Sequence, residues 1–108
     1  MTLVNLTPHP ITIGTVTVPP SGTVARVSVT REQVGVIPLE DGSAIPMFET
    51  HFGEVSGLPL PDGKVFIVSA MVRTHPSLSE RLDVASPGQL VRDDAGRVIG
   101  CDGLDLNG

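Results

Sequence analysis

Tryptophan and tyrosine are absent from this 108-residue chain, and only three phenylalanines occur. The core must then be built from Val, Ile, Leu, Met and Ala, with strand-forming valine prominent. A single cysteine, Cys101, excludes an internal disulfide and fits a reducing compartment. Basic residues are also scarce: seven Lys and Arg stand against twelve Asp and Glu, a net charge of −5. Without a basic run the chain is a poor partner for nucleic acid polymers, because counterion release needs clustered cations. Lack of Tyr and Trp removes the usual stacking platform for single strands as well. No apolar run approaches the roughly 20 residues of a membrane helix, and no leader of basic and then apolar residues opens the sequence. The expectation is a soluble cytoplasmic protein that meets neither membrane nor nucleic acid.

Frames for metals and enzymes are missing too. His9, His51 and His75 lie far apart, and none stands in an H-x-x-x-H or C-x-x-C setting. His51 with Glu54 would need further ligands brought in by folding. The carboxyl-terminal Asp102–Gly108 stretch lacks the spacing of a calcium loop and its distant Glu. There is no G-x-S-x-G elbow and no phosphate loop. No cofactor or metal is expected, and the chain is not expected to be an enzyme.

What remains is a strand-rich pattern in a length suited to one domain. Hydrophobic residues at 40% and charged residues at 18% place it among globular rather than disordered chains. Ile11–Val18 alternates apolar with small polar residues and changes phase at Gly14-Thr15, the mark of a bulge or sharp coil. Pro19-Pro20-Ser21-Gly22 signals a turn, and Thr23–Thr30 reads as the strand that completes a hairpin with Ile11–Val18. A second hairpin joins Val34–Leu39 to Ala44–Thr50 across Glu40-Asp41-Gly42-Ser43. Val65–Val68 is a short continuous apolar run, the pattern of a central strand buried on both faces. Ser69–Arg73 has room for a turn of helix, and His75–Arg81 for a short helix with Pro76 near its start. A last hairpin pairs Gln89–Arg92 with Arg97–Cys101, and residues 102–108 read as a flexible tail. The sum is a single mainly β domain, a compact small barrel or sandwich built from hairpins, with at most one or two short helices.

Two groups of polar residues are candidates for binding. In Leu3–Pro10, strand alternation puts Asn5, Thr7 and His9 on one face, and Pro8 and Pro10 stiffen the backbone around them. An amide, a hydroxyl and an imidazole at roughly 6.6 Å intervals suit a nucleotide-sized ligand. The alternative is a water-facing row, with Asn5 and Thr7 bonding their own loop backbone. The second group is Arg81 and Asp83, a guanidinium fit for phosphate and a carboxylate fit for a hydroxyl or amino group. Here the alternative is a surface ion pair. Ser69 follows the central strand, where it either caps the next turn or points into a pocket.

The stretches N-L-T-P-H at 5–9, P-P-S-G-T-V-A-R-V at 19–27, F-G-E-V-S-G-L-P at 52–59, G-K-V-F-I-V-S at 63–69, R-L-D-V-A-S-P-G at 81–88 and V-R-D-D-A-G-R-V-I-G at 91–100 occur in order over nearly the whole chain. Together they resemble a family of small uncharacterised proteins from tailed bacteriophages, prophages and bacterial genomes. Leu82 stands where such relatives commonly carry a second basic residue. The resemblance implies a phage setting and leaves two roles open. One is a non-catalytic, homo-oligomeric protein that sequesters a small anionic ligand, a host nucleotide signal. In that role Asn5, Thr7 and His9 would contact sugar and base, Arg81 the phosphate, and Asp83 a hydroxyl or amino group, with Ser69 in support. The other is a structural or morphogenetic protein that binds capsid or tail components. A small nucleotide hydrolase or lyase acting through His9 or Cys101 is a third reading.

Overall fold

Strand β6 (Val65–Ile67) lies between two hydrophobic cores and neighbours a strand on each side. The computed structural model describes residues 1–107, and about half of the chain is strand. One four-stranded sheet has the order β1 (Leu3–Asn5), β6, β7 (Val84–Pro87), β10 (Leu104–Leu106). In it β1, β6 and β7 run parallel, and β10 is antiparallel to β7. A second four-stranded sheet has the order β3 (Val16–Val18), β2 (Ile11–Ile13), β9 (Val98–Cys101), β8 (Leu90–Arg92). The third is a two-stranded ribbon of β4 (Arg26–Pro38) and β5 (Ala44–Ser56). The arrangement is mainly β and sandwich-like, and among the described residues no sheet closes into a barrel.

Alternation along β6 explains why it is central. Phe66 and Val68 enter a core with Leu6, Ala25, Val72, Leu78 and Val84, while Ile67 enters the other with Ile11, Val18 and Cys101. A strand with apolar side chains on both faces has to be covered on both. The cover on one side comes from α1 (Ala70–Arg73) and a 3₁₀ turn (Pro76–Leu78), which carry the chain from β6 to the parallel β7. Both short helices lie where the sequence places them. Ser69 caps α1 by accepting from Val72 N at 3.4 Å, and His75 caps the 3₁₀ turn by accepting from Ser77 N at 3.2 Å.

Three sequence expectations are corrected. Ile11–Val18 does not pair with Thr23–Thr30; it folds on itself as the β2–β3 hairpin, with Gly14 at φ 60° in its tight turn. Residues 21–25 instead lie beside β1, Ser21 N donating to Asn5 O and Ala25 N to Leu6 O. The hairpin around Asp41-Gly42 is present, but its strands extend to Arg26 and Ser56, far beyond the expected limits. Residues 102–107 are not a tail: β10 completes a sheet, and Leu104 packs against the second core. Gly108, the last residue of the expected tail, lies outside the described residues.

The β4–β5 ribbon projects as an arm. Its inner face, by register, carries Val27, Val29, Arg31, Gln33, Val36, Phe48, Thr50, Phe52 and Val55. Only Val27 and Val55, at the root, pack against the body. Thirteen residues of strand reach about 44 Å, in keeping with a longest dimension of 59 Å. The radius of gyration is 18.1 Å, against about 13 Å for a compact chain of this length.

Candidate functional site

Asn5 has 1% of its surface exposed and makes four hydrogen bonds. Its Nδ2 donates to His9 O at 2.8 Å and to Val18 O at 3.0 Å. Its Oδ1 accepts from Thr7 N at 2.9 Å and from Thr7 Oγ1 at 2.6 Å. Thr7 Oγ1 also lies 3.0 Å from His9 O. The chain leaves β1 after Asn5 and bends, so Asn5, Thr7 and His9 do not form an extended row. The amide is spent on knotting the Thr7–Pro10 bend to β3, as a side chain that satisfies buried backbone groups must be. His9 is exposed on the outside of that bend.

Arg81 and Asp83 are likewise paired. Arg81 Nε donates to Asp83 Oδ1 at 2.7 Å and Nη2 donates to Asp83 Oδ2 at 2.8 Å, a two-point fork. Nη2 also reaches Pro59 O at 3.1 Å, fastening the Leu58–Asp62 connection. The guanidinium holds the Asp83 carboxyl below the usual carboxylate range, against a smaller opposing push from burial. In return the carboxylate raises Arg81.

The two groups stand at opposite ends of the parallel strands. Thr7 and Ser69 follow the carboxyl ends of β1 and β6, whereas Arg81 and Asp83 precede the amino end of β7. Strand length alone separates them by about 10 Å. One chain therefore sets the amino-terminal row and the arginine bend at opposite ends of these strands. Thr7 and Ser69 do meet: both line a cavity of about 280 Å³ with Pro8, Arg26 and Met71. A larger cleft of about 500 Å³ lies between the arm root and the α1 region, lined by Val27, Phe52, Met71, His75 and Pro76.

Sequence reading missed Arg73. Its Nε donates to the buried Ser86 Oγ at 2.7 Å and its Nη1 to Asn107 Oδ1 at 3.2 Å, while Asn107 Nδ2 donates to Leu78 O at 2.9 Å. The available signal was that Arg73 is the first charge after Lys64, at the end of the apolar central strand and α1. His75 was missed as a tie: its Nε2 lies 2.8 Å from Gly53 O in the arm, with Nδ1 facing Ser77. His51 meets Glu32 at 3.4 Å and Glu49 at 3.7 Å, rather than the Glu54 weighed from sequence. Those three side chains are exposed and mutually paired on the outer face of the arm. Cys101 is buried with its Sγ 3.4 Å from Gly103 O, a packed position. Among the described residues no helix is long and apolar enough to cross a membrane.

Two outcomes follow for these residues. Asn5→Ala leaves backbone groups of Thr7, His9 and Val18 without their partner, and is expected to lower stability by about 3 kcal/mol in urea unfolding. For Asp83, the lowered carboxyl contributes stability that is present above about pH 4 and is lost as the pH falls through the folded value. Asp83→Asn is accordingly less stable than the wild type at pH 7, and the gap narrows as the pH falls through the folded value of the carboxyl, as read from thermal midpoints across the acid range.

No family model, no curated protein and no solved structure matches this chain.

Proposed function

We propose that this chain is a non-catalytic assembly protein of the structural or morphogenetic kind, acting in the cytoplasm as a homo-oligomer. The observation that carries this reading is the uncovered arm. The chain exposes 7368 Å², roughly 1,600 Å² more than the about 5,700 Å² of a compact monomer of its mass. Isolated two-stranded ribbons are at best marginally stable in water, and contiguous apolar surface of this kind marks a contact site. Phe52 is 58% exposed, Phe48 43% and Val36 53%, all on the inner face. The internal pairing of Arg81 and the saturation of Asn5 support the same reading, since neither group is free for a phosphate or a base. Sedimentation of the purified protein is expected to give a mass of at least two chains, and gradient centrifugation to carry it with capsid shells or virions. Phe52→Glu is expected to weaken association about 30-fold. A one-chain mass together with no co-sedimentation overturns the reading.

A second reading, sequestration of a small anionic or nucleotide-type ligand, is favoured by the cavity that Thr7 and Ser69 share with the cationic Arg26. Calorimetry against cyclic dinucleotides, cyclic oligonucleotides and ADP-ribose derivatives is expected to show micromolar binding that Arg26→Ala abolishes. No heat across that panel removes it.

A further inference from the structure

From the register of the arm we infer that its inner face packs on the same face of a second copy, with the two arms antiparallel and nearly fully overlapped. The inference rests on the assembly reading and names its interface.

Four surfaces of the ribbon are available to a partner: two edges and two faces. The edges resist strand addition. Pro38 lies on β4 and Pro46 on β5, and the ladder shifts register between Val27 and Val29 and between Gln33 and Gly35. The outer face is acidic at its middle, where His51 is shared by two carboxylates. Glu32 and Glu49 are directly opposite each other there, with side chains 68% and 63% exposed. Stacking two such faces would gather four carboxylates.

The inner face is different. Its pairs from root to tip are Val27/Val55, Val29/Phe52, Arg31/Thr50, Gln33/Phe48, Val36/Pro46 and Pro38/Ala44. The apolar pairs Val29/Phe52 and Val36/Pro46 are near-symmetric about the middle of the arm. Turning one arm over and laying it on another sets each pair of one copy against a counterpart: Val29/Phe52 over Val36/Pro46, and Gln33/Phe48 over Arg31/Thr50. The same overlap brings the apolar tip of each arm over the cleft at the root of the other, where Met71 and Pro76 wait beside Phe52. Arg31 is the charged side chain among these pairs, and its guanidinium carbon already sits 4.0 Å from the centroid of the Phe48 ring. Overlap would bring the second copy's Phe48 to the other side of that guanidinium, a desolvated setting that such a cation tolerates. The result is a four-stranded sandwich of two ribbons, in which each face supplies the cover the other lacks. The surplus surface of roughly 1,600 Å² per chain is ample for the about 800 Å² that each partner contributes to a standard interface.

The test is cross-linking between differently labelled chains. Val36→Cys and Phe52→Cys are exposed substitutions outside both cores, and the wild-type Cys101 is buried and serves as background. Within one chain the two positions are about 20 Å apart along the ribbon. A thiol cross-linker spanning about 10 Å, the separation of packed sheets, therefore reports contact between chains. An equimolar mixture of the two variants is expected to give a covalent dimer, and either variant alone none. Val29→Cys, the cross-strand neighbour of Phe52, repeats the test should Phe52→Cys fold poorly, and Thr30→Cys on the outer face is the negative control. An oligomeric protein in which the mixture gives no dimer, or in which Thr30→Cys links as well, overturns the inner-face overlap while leaving the assembly reading standing. A protein that sediments as one chain, and binds capsid shells through the arm, also overturns it, because the occupant is then a foreign partner. A one-chain mass without such binding removes both.

Discussion

Double-sided burial of β6 is the constraint on which the rest of the body depends. Three residues, Val65, Phe66 and Ile67, carry apolar side chains to alternate faces, so neither face can be left to water. Parallel partners on both sides follow, and parallel partners require crossovers. One crossover is the α1 and 3₁₀ segment, and its Val72 and Leu78 supply the cover for Phe66 and Val68. The excursion from β1 to β6 is much longer and contains both the β2–β3 hairpin and the arm. The hairpin returns Ile11 and Val18 to Ile67 from the other side.

The arm obeys an opposite constraint. A ribbon has two faces and two strands, and it cannot bury either face against itself. Its root is anchored by Val27, Val55 and the bond between His75 and Gly53 O. Beyond the root, apolar residues continue to the tip on both faces, where Ile37, Ile45 and Met47 are exposed. A short hairpin of polar residues would have closed the same loop. Strands of thirteen residues with this composition leave apolar side chains exposed that a short polar hairpin would not.

Polar residues that look like ligand contacts in the sequence are used by the fold itself. Asn5 fastens the bend that lets β1 give way to β2, and Arg81 joins Asp83 to the Pro59 carbonyl. In both cases the side chain supplies hydrogen bonds that an irregular, proline-rich backbone cannot make by itself. The signal in the sequence was accurate about chemistry and silent about whether that chemistry was already occupied. Asn5 and Thr7 bond the local backbone, as one of the two readings of the sequence has it, but Asn5 is buried where that reading faces it to water.

Local patterns were enough to place the mainly β class, the buried central strand, the short helices after it, the Asp41-Gly42 turn and the 89–101 hairpin, because each is written in neighbouring residues. Asp41 shows why: its Oδ1 accepts from Ser43 N, two positions along, so the turn is a property of the tetrapeptide. Pairings between distant segments are not written this way. Arg31-Glu32-Gln33 breaks the apolar alternation and reads as the end of a strand, yet β4 runs through it because an exposed ribbon needs no buried face there. Leu104-Asp105-Leu106 is too short to declare itself, and becomes a strand only because β7 offers an edge. That the amino-terminal row and the arginine bend stand at opposite strand ends follows from the direction of three parallel strands, a fact of topology that periodicity along one segment cannot contain.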